Sequence, residues 1–153
     1  MNSRLVFPLV GVLIAAIVAV GTLTEPRALA QTGARTPEPG EGVVCAWALY
    51  TVAREVGRRC HPGEDVELQE ALEQAVSEID AYVVANTNPS ATQQQIDEFK
   101  RQQGHVGASE EFLCRGDPSE LYRSLAEQGA PAIRASLDAA LSRPGQPTWG
   151  TCL

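Results

Sequence analysis

At 153 residues, with 12 basic side chains against 19 acidic ones, the chain carries a net charge of −7. That balance opposes nucleic acids and anionic lipid headgroups, both of which need a basic footprint. Four cysteines are an even count, which in an exported chain reads as disulfides.

The N-terminus indicates export. Arg4 supplies a short positive region, Leu5 to Leu23 is apolar apart from Thr22, and Ala28-Leu29-Ala30 before Gln31 fits the small-x-small cleavage rule. Residues 1–30 therefore read as a signal peptide and the compartment as periplasmic or secreted. The competing reading is an uncleaved anchor, since the nineteen-residue run approaches the roughly 20 residues that span a bilayer. On that reading the protein is a membrane-anchored structural envelope protein. Cleavage after Ala30 removes Arg4, Glu25 and Arg27 and leaves 123 residues with a net charge of about −8, enough for one domain with one core. Residues 31–42, QTGARTPEPGEG, contain no large apolar side chain and cannot offset their ordering entropy by burial, so they read as a disordered leader. The domain proper is expected over 43–153.

Its first element is a helix over VVCAWALYTVAREVGRRCHP, with Val44, Ala48, Val52 and Val56 at helical spacing beside Cys45, Leu49 and Cys60. Cys45 and Cys60 share a face but lie about 22 Å apart along the axis, beyond disulfide reach. Each must bond a cysteine elsewhere, and Cys114 and Cys152 are available. His61-Pro62-Gly63 ends this helix. A second is expected from about Asp65 to Ala85, with Leu68, Leu72, Ala75, Val76, Ile79, Tyr82 and Val83 inward and a row of acidic residues outward. A third, more polar helix opens at a capping box beginning at Ser90, is anchored by Ile96 and Phe99, and stops at Gly104. Ser109 caps a short turn that carries Phe112, Leu113 and Cys114 inward. Asp117-Pro118-Ser119-Glu120 reads as a cap, a first-turn proline and a first-turn acid, starting a helix that ends at Gly129. Pro131 starts the last helix, which ends before Pro144.

The expected fold is therefore all-α: a small bundle of four to five helices stapled by two disulfides, after an N-terminal signal segment. Short connections make sequential helices antiparallel neighbours, which pairs Cys60 with Cys114 and Cys45 with Cys152. The swapped pairing, Cys45 with Cys114 and Cys60 with Cys152, stays open, because connectivity is not deducible from spacing. Each staple is worth about 4 kcal/mol in the chain-entropy account.

For chemistry the sequence offers little. His61 and His105 with Cys60 and Cys114 make up a zinc ligand set, but at no compact zinc spacing, and oxidation removes the thiolates. No nucleophile motif, phosphate loop or haem attachment motif occurs, so no catalytic residue, metal ligand or cofactor is assigned. The acidic pairs Asp97-Glu98 and Glu110-Glu111 read as solvated surface, because adjacent helix positions do not face each other. Arg115-Gly116-Asp117 matches an adhesion tripeptide, but its glycine and aspartate are accounted for by the turn and the helix start. Trp47 and Tyr50 fall off the main stripe of the first helix. They read either as a second packing face or as an exposed contact for a protein partner.

The leading expectation is an exported small helical binding module acting by protein contact, such as an inhibitor, immunity-type protein, adaptor or chaperone. Its partner is an unidentified protein, neither nucleic acid nor membrane once the signal is removed. A metal-binding protein or enzyme using His61 and His105 is the alternative from another class.

Overall fold

A computed structural model describes residues 37–152. The expected signal segment and the first part of the leader lie outside the described residues. Six helices follow one another: α1 (Val43–Cys60), α2 (Val66–Asn86), α3 (Gln93–Gln103), α4 (Glu110–Arg115), α5 (Asp117–Gln128) and α6 (Ala130–Leu141). No strand occurs among the described residues. The count exceeds the expected four to five because the short segment behind Ser109 closes a helical turn of its own. There the Ser109 hydroxyl accepts from the Phe112 amide.

Helix α1 is the centre of the bundle, packed against α2, α3, α4 and α5. A helix so surrounded has little free face, and Val43, Ala46, Trp47, Tyr50, Ala53, Val56 and Gly57 are all buried along it. The buried side is thus rotated by about one position from the stripe read in the sequence, and Trp47 and Tyr50 belong to the core. Helix α2 follows the expected pattern, burying Leu68, Leu72, Ala75, Val76, Ile79, Tyr82 and Val83 against α1 on one side and α6 on the other. Helix α3 buries only Ile96 completely, with Phe99 packed at the core's margin. One ion pair ties α3 across to α2, from Lys100 Nζ to Asp80 Oδ2 at 2.5 Å.

The helix ends differ from expectation in two places. Helix α3 is capped by Thr92, whose hydroxyl accepts from the Gln95 amide while Gln95 Oε1 accepts from the Thr92 amide. Ser90 stays in the loop because the next residue, Ala91, spends its amide on the Thr87 hydroxyl instead of a helical turn. In α5 the cap position falls to Gly116, and Asp117 stands inside the first turn with Pro118 and Glu120, where negative charge complements the helix dipole.

One glycine is needed for packing inside a helix. A Cβ at Gly57 would lie 2.9 Å from Tyr122 Cε2 and 3.1 Å from Gln69 Cγ. Glycine in a helix costs up to about 1 kcal/mol, and here that cost is offset by letting the Tyr122 ring of α5 close onto α1.

Cys60 is bonded to Cys114, with Cα atoms 5.5 Å apart, which fastens the end of α1 to α4. Cys45 is bonded to Cys152, at 5.2 Å, which fastens the start of α1 to the tail. No free cysteine remains among the described residues. Disulfides are the chemistry of an oxidising compartment, and no described helix is long and apolar enough to cross a membrane.

Close to Cys60, α1 buries one carboxylate. Glu55 is 7% exposed and accepts from Arg58 at 2.8 Å, with an Arg59 nitrogen at 3.8 Å. Arg59 also donates to the Ala108 carbonyl, 3.1 Å away, so this cluster links α1 to the loop before α4. Replacing Glu55 by glutamine keeps the shape and removes the charge. It is expected to lower stability by roughly 1–2 kcal/mol, the scale of a hydrogen bond to a charged group. Urea unfolding checks this, and a midpoint equal to that of the parent protein would contradict it.

Candidate interaction site

The tail and the end of the leader are folded onto each other. Residues 38–41 form a turn in which the Glu41 amide donates to the Glu38 carbonyl. The Thr148 amide donates to the Gly40 carbonyl at 2.9 Å, and the Val44 amide donates to the Thr148 carbonyl at 3.1 Å. The last part of the expected leader, from Pro37 to Gly42, is therefore an ordered turn paired to the tail. The approach is close enough that Gly42, at φ 82°, has no room for a side chain: a Cβ there would overlap the Thr151 carbonyl. Two hydrogen bonds and the Cys45–Cys152 disulfide thus hold the backbone on both sides of Trp149.

Three aromatic rings lead outward from the core to this tail. Trp47 of α1 is 4% exposed and stacks on Phe99 of α3, with ring centroids 4.0 Å apart and planes 17° apart. Phe99 in turn meets Trp149 at 6.3 Å, tilted by 47°. Trp149 ends the series at the surface, 55% exposed. The result is a large amphipathic ring whose inner edge is supported and whose outer face is open, on a backbone tied at Thr148 and at Cys152.

Of the two readings of Trp47 and Tyr50, the structure places both rings on a packing face of α1. Both are core residues, at 4% and 6% exposure, and rings that buried present nothing to a partner. Being central, α1 covers on every side what a two-sided helix would leave open. The exposed tryptophan is Trp149, three residues before Cys152. That Phe99 supports it is a tertiary fact, since fifty residues separate the two.

The two histidines have separate surroundings. His61 lies flat on Tyr122, with centroids 4.8 Å apart and planes 6° apart, and its Nδ1 is 3.1 Å from Glu64 Oε2. His105 meets Phe112 edge-on at 5.2 Å. Cys60 and Cys114 are bonded to each other and offer no thiolate. Among the described residues, no three His, Cys, Asp or Glu side chains gather closely enough to hold a metal ion.

The acidic pairs lie in local ion pairs along their own helices. Glu98 bonds Arg101 at 2.6 Å, and that guanidinium holds its carboxyl below the usual range. Glu111 bonds Arg115 at 2.8 Å, which also occupies the arginine of the Arg115-Gly116-Asp117 tripeptide.

No protein-family model, curated protein or solved structure matches this chain. Its function must therefore be read from its own surface. Besides Trp149, the large apolar side chains that remain exposed among the described residues are Val66, Val84, Val106 and Phe112. None of these is aromatic, except Phe112, and Phe112 sits on a six-residue helix instead of a segment pinned at both sides.

Proposed function

We propose that this protein is an exported binding module, periplasmic or secreted, that acts by contacting another protein through a surface centred on Trp149. The observation that carries the reading is the exposed indole ring at the end of the Trp47–Phe99–Trp149 series, on a backbone held by two hydrogen bonds and a disulfide. Tryptophan is the residue type most enriched among binding hot spots, and presenting it already ordered removes an entropic cost of association. The acidic balance of the chain favours a partner with a basic rim and opposes nucleic acid or an anionic membrane.

A photoreactive benzoylphenylalanine in place of Trp149 tests this in exporting cells, with the same residue at the exposed Gln94 of α3 as control. A discrete, heavier adduct from position 149 alone supports the reading. Equal labelling from both positions, or none from 149, removes its basis. Once the partner is known, Trp149→Ala is expected to weaken binding at least about 30-fold, the scale of a 2 kcal/mol hot spot. The thermal unfolding midpoint should barely move, because the ring is more than half exposed.

A further inference from the structure

Three polar atoms inside the bundle have no hydrogen-bond partner among the described residues: Trp47 Nε1, Thr51 Oγ1 and Asp80 Oδ1. Trp47 is 4% exposed and Thr51 1%. An unmet buried donor or acceptor costs free energy, so native interiors satisfy nearly all of them with protein groups or with ordered water. A threonine on a helix has a local answer in the carbonyl four residues back. Thr51 makes no such bond.

The fold brings the three groups to one place. Trp47 and Thr51 are four apart on α1 and hence neighbours on its surface. A Cβ on Gly57 of α1 would meet Gln69 of α2, and Arg54 reaches Glu73 Oε2 at 3.4 Å, so the two helices run antiparallel with Trp47 level with Ile79 and Asp80. Helix α3 closes the same spot: Phe99 stacks on Trp47, and the next residue, Lys100, meets Asp80 Oδ2. One turn further on, a Cβ at Gly104 would lie 3.3 Å from Thr51 Cγ2. All three unmet atoms thus belong to the junction of α1 and α2 beneath the end of α3.

We infer that this junction is a binding site for one water molecule, bridging the Trp47 indole, the Asp80 carboxylate and the Thr51 hydroxyl. The protein groups decide the class of occupant. An indole N–H only donates, an ionised carboxylate oxygen only accepts, and a hydroxyl does either, so the occupant must both accept and donate. Charge narrows the class further: an anion would face Asp80, and the Lys100 ammonium already meets that carboxylate, which leaves an uncharged molecule. Close packing favours the smallest such molecule, and a buried water makes about three hydrogen bonds, as many as there are groups here. The water ties α3, which buries only Ile96 completely, to the two helices beneath it. It rests on enclosed atoms and does not depend on what Trp149 contacts.

The two tryptophans of the chain give the test its own reference. On the whole exported protein, isotope-labelled, cross-peaks between water and each indole N–H are compared in NOESY and ROESY spectra. A water held for longer than nanoseconds gives peaks of opposite sign in the two experiments. Trp47 is expected to show them, whereas the exposed Trp149 meets exchanging bulk water and should not. Thr51→Val keeps the shape and removes the hydroxyl. It is expected to raise the unfolding constant in urea titrations roughly three- to tenfold, the scale of one net hydrogen bond, whereas a hydroxyl bonded to nothing would be replaced without loss. The Trp47 peaks should survive in this variant, because Trp47 and Asp80 still hold the molecule, and their survival excludes the Thr51 proton as their source. The assignment is wrong if Trp47 gives no opposite-sign pair, if that pair disappears in Thr51→Val, or if the variant is at least as stable as the parent.

Discussion

Replacing Cys60 and Cys114 together by alanine is expected to lower the free energy of unfolding by about 4 kcal/mol. The bond closes a chain segment of 54 residues, and in the chain-entropy account a loop of that length restricts the unfolded chain by about that amount at 25 °C. A domain of this size is stable by about 5–15 kcal/mol in total, so the variant should sit near the edge of folding at 37 °C. The folded state loses something local as well. Helix α4 has six residues and buries Leu113 alone, and a helix that short has little stability of its own. Without the bond, α4 should be the first element to exchange its amides, while α2 stays protected. Urea midpoints and hydrogen exchange on parent and variant measure both effects. A loss below about 1 kcal/mol, with α4 still as protected as α2, would show that packing alone holds this end of the bundle. The companion bond, Cys45–Cys152, spans 107 residues and encloses the first. With the inner bond intact, about half of that span is already short-circuited, so removing the outer bond is expected to cost no more than removing the inner one. Its distinct consequence is at the surface: the tail that presents Trp149 would lose one of its restraints.

The second large effect centres on Tyr122, which is 1% exposed and the bulkiest of the fully buried side chains. It lies between Gly57 of α1 and the His61 ring, and its hydroxyl donates to Asp65 Oδ2 at 3.3 Å. Truncation to alanine is expected to cost about 3–5 kcal/mol, the range for emptying a buried aromatic site. Substitution by phenylalanine is more informative, because it isolates the hydroxyl. Burial first, and the neighbouring Asp65 charge second, push the Tyr122 pKa up to about 12 from an ordinary value of 10.0. Below pH 10 both folded and unfolded chains hold the proton, and the contribution is fully present. Between pH 10 and about 12 the unfolded chain has lost the proton while the folded one keeps it, so stability falls as pH rises. Over that window the loss amounts to roughly 2–3 kcal/mol. Tyr50 and Tyr82 are raised in the same direction by burial and add to the slope. Tyr122→Phe should cost about 1 kcal/mol at pH 8 and flatten the fall above pH 10. Urea unfolding at pH 8, 10 and 11.5, with phenolate absorbance followed in parallel, gives the comparison. An alkaline slope identical in parent and variant would place the titrating group elsewhere.

Much of this architecture is legible in local patterns. The apolar residues of α2 repeat at three and four, and its outer positions are acidic, so both the helix and its inner face could be read from sequence. The breaks at His61-Pro62-Gly63, Gly104, Gly129 and Pro144 act through backbone geometry confined to a few residues, and each falls at an end of a helix. The capping box of α3 was displaced by two residues. Two overlapping Ser/Thr sites compete there, and the choice depends on the Thr87 hydroxyl taking the Ala91 amide. On α1 the sequence pattern was least decisive. Apolar residues occur nearly all around that helix, and periodicity identifies a face only when another face is polar.

By itself, then, the sequence determined an all-helical chain with its stops, an acidic balance, and four cysteines of which two on α1 are too far apart to join. Each follows from composition or from interactions within a turn or two of chain. The tertiary structure alone decided that α1 is the centre, that Trp47 and Tyr50 are enclosed, and that Phe99 supports an exposed Trp149. It also laid the Tyr122 ring of α5 against Gly57 of α1. Those outcomes depend on which helices surround which, and that is set by packing between residues 50 or more positions apart, a relation no local period encodes.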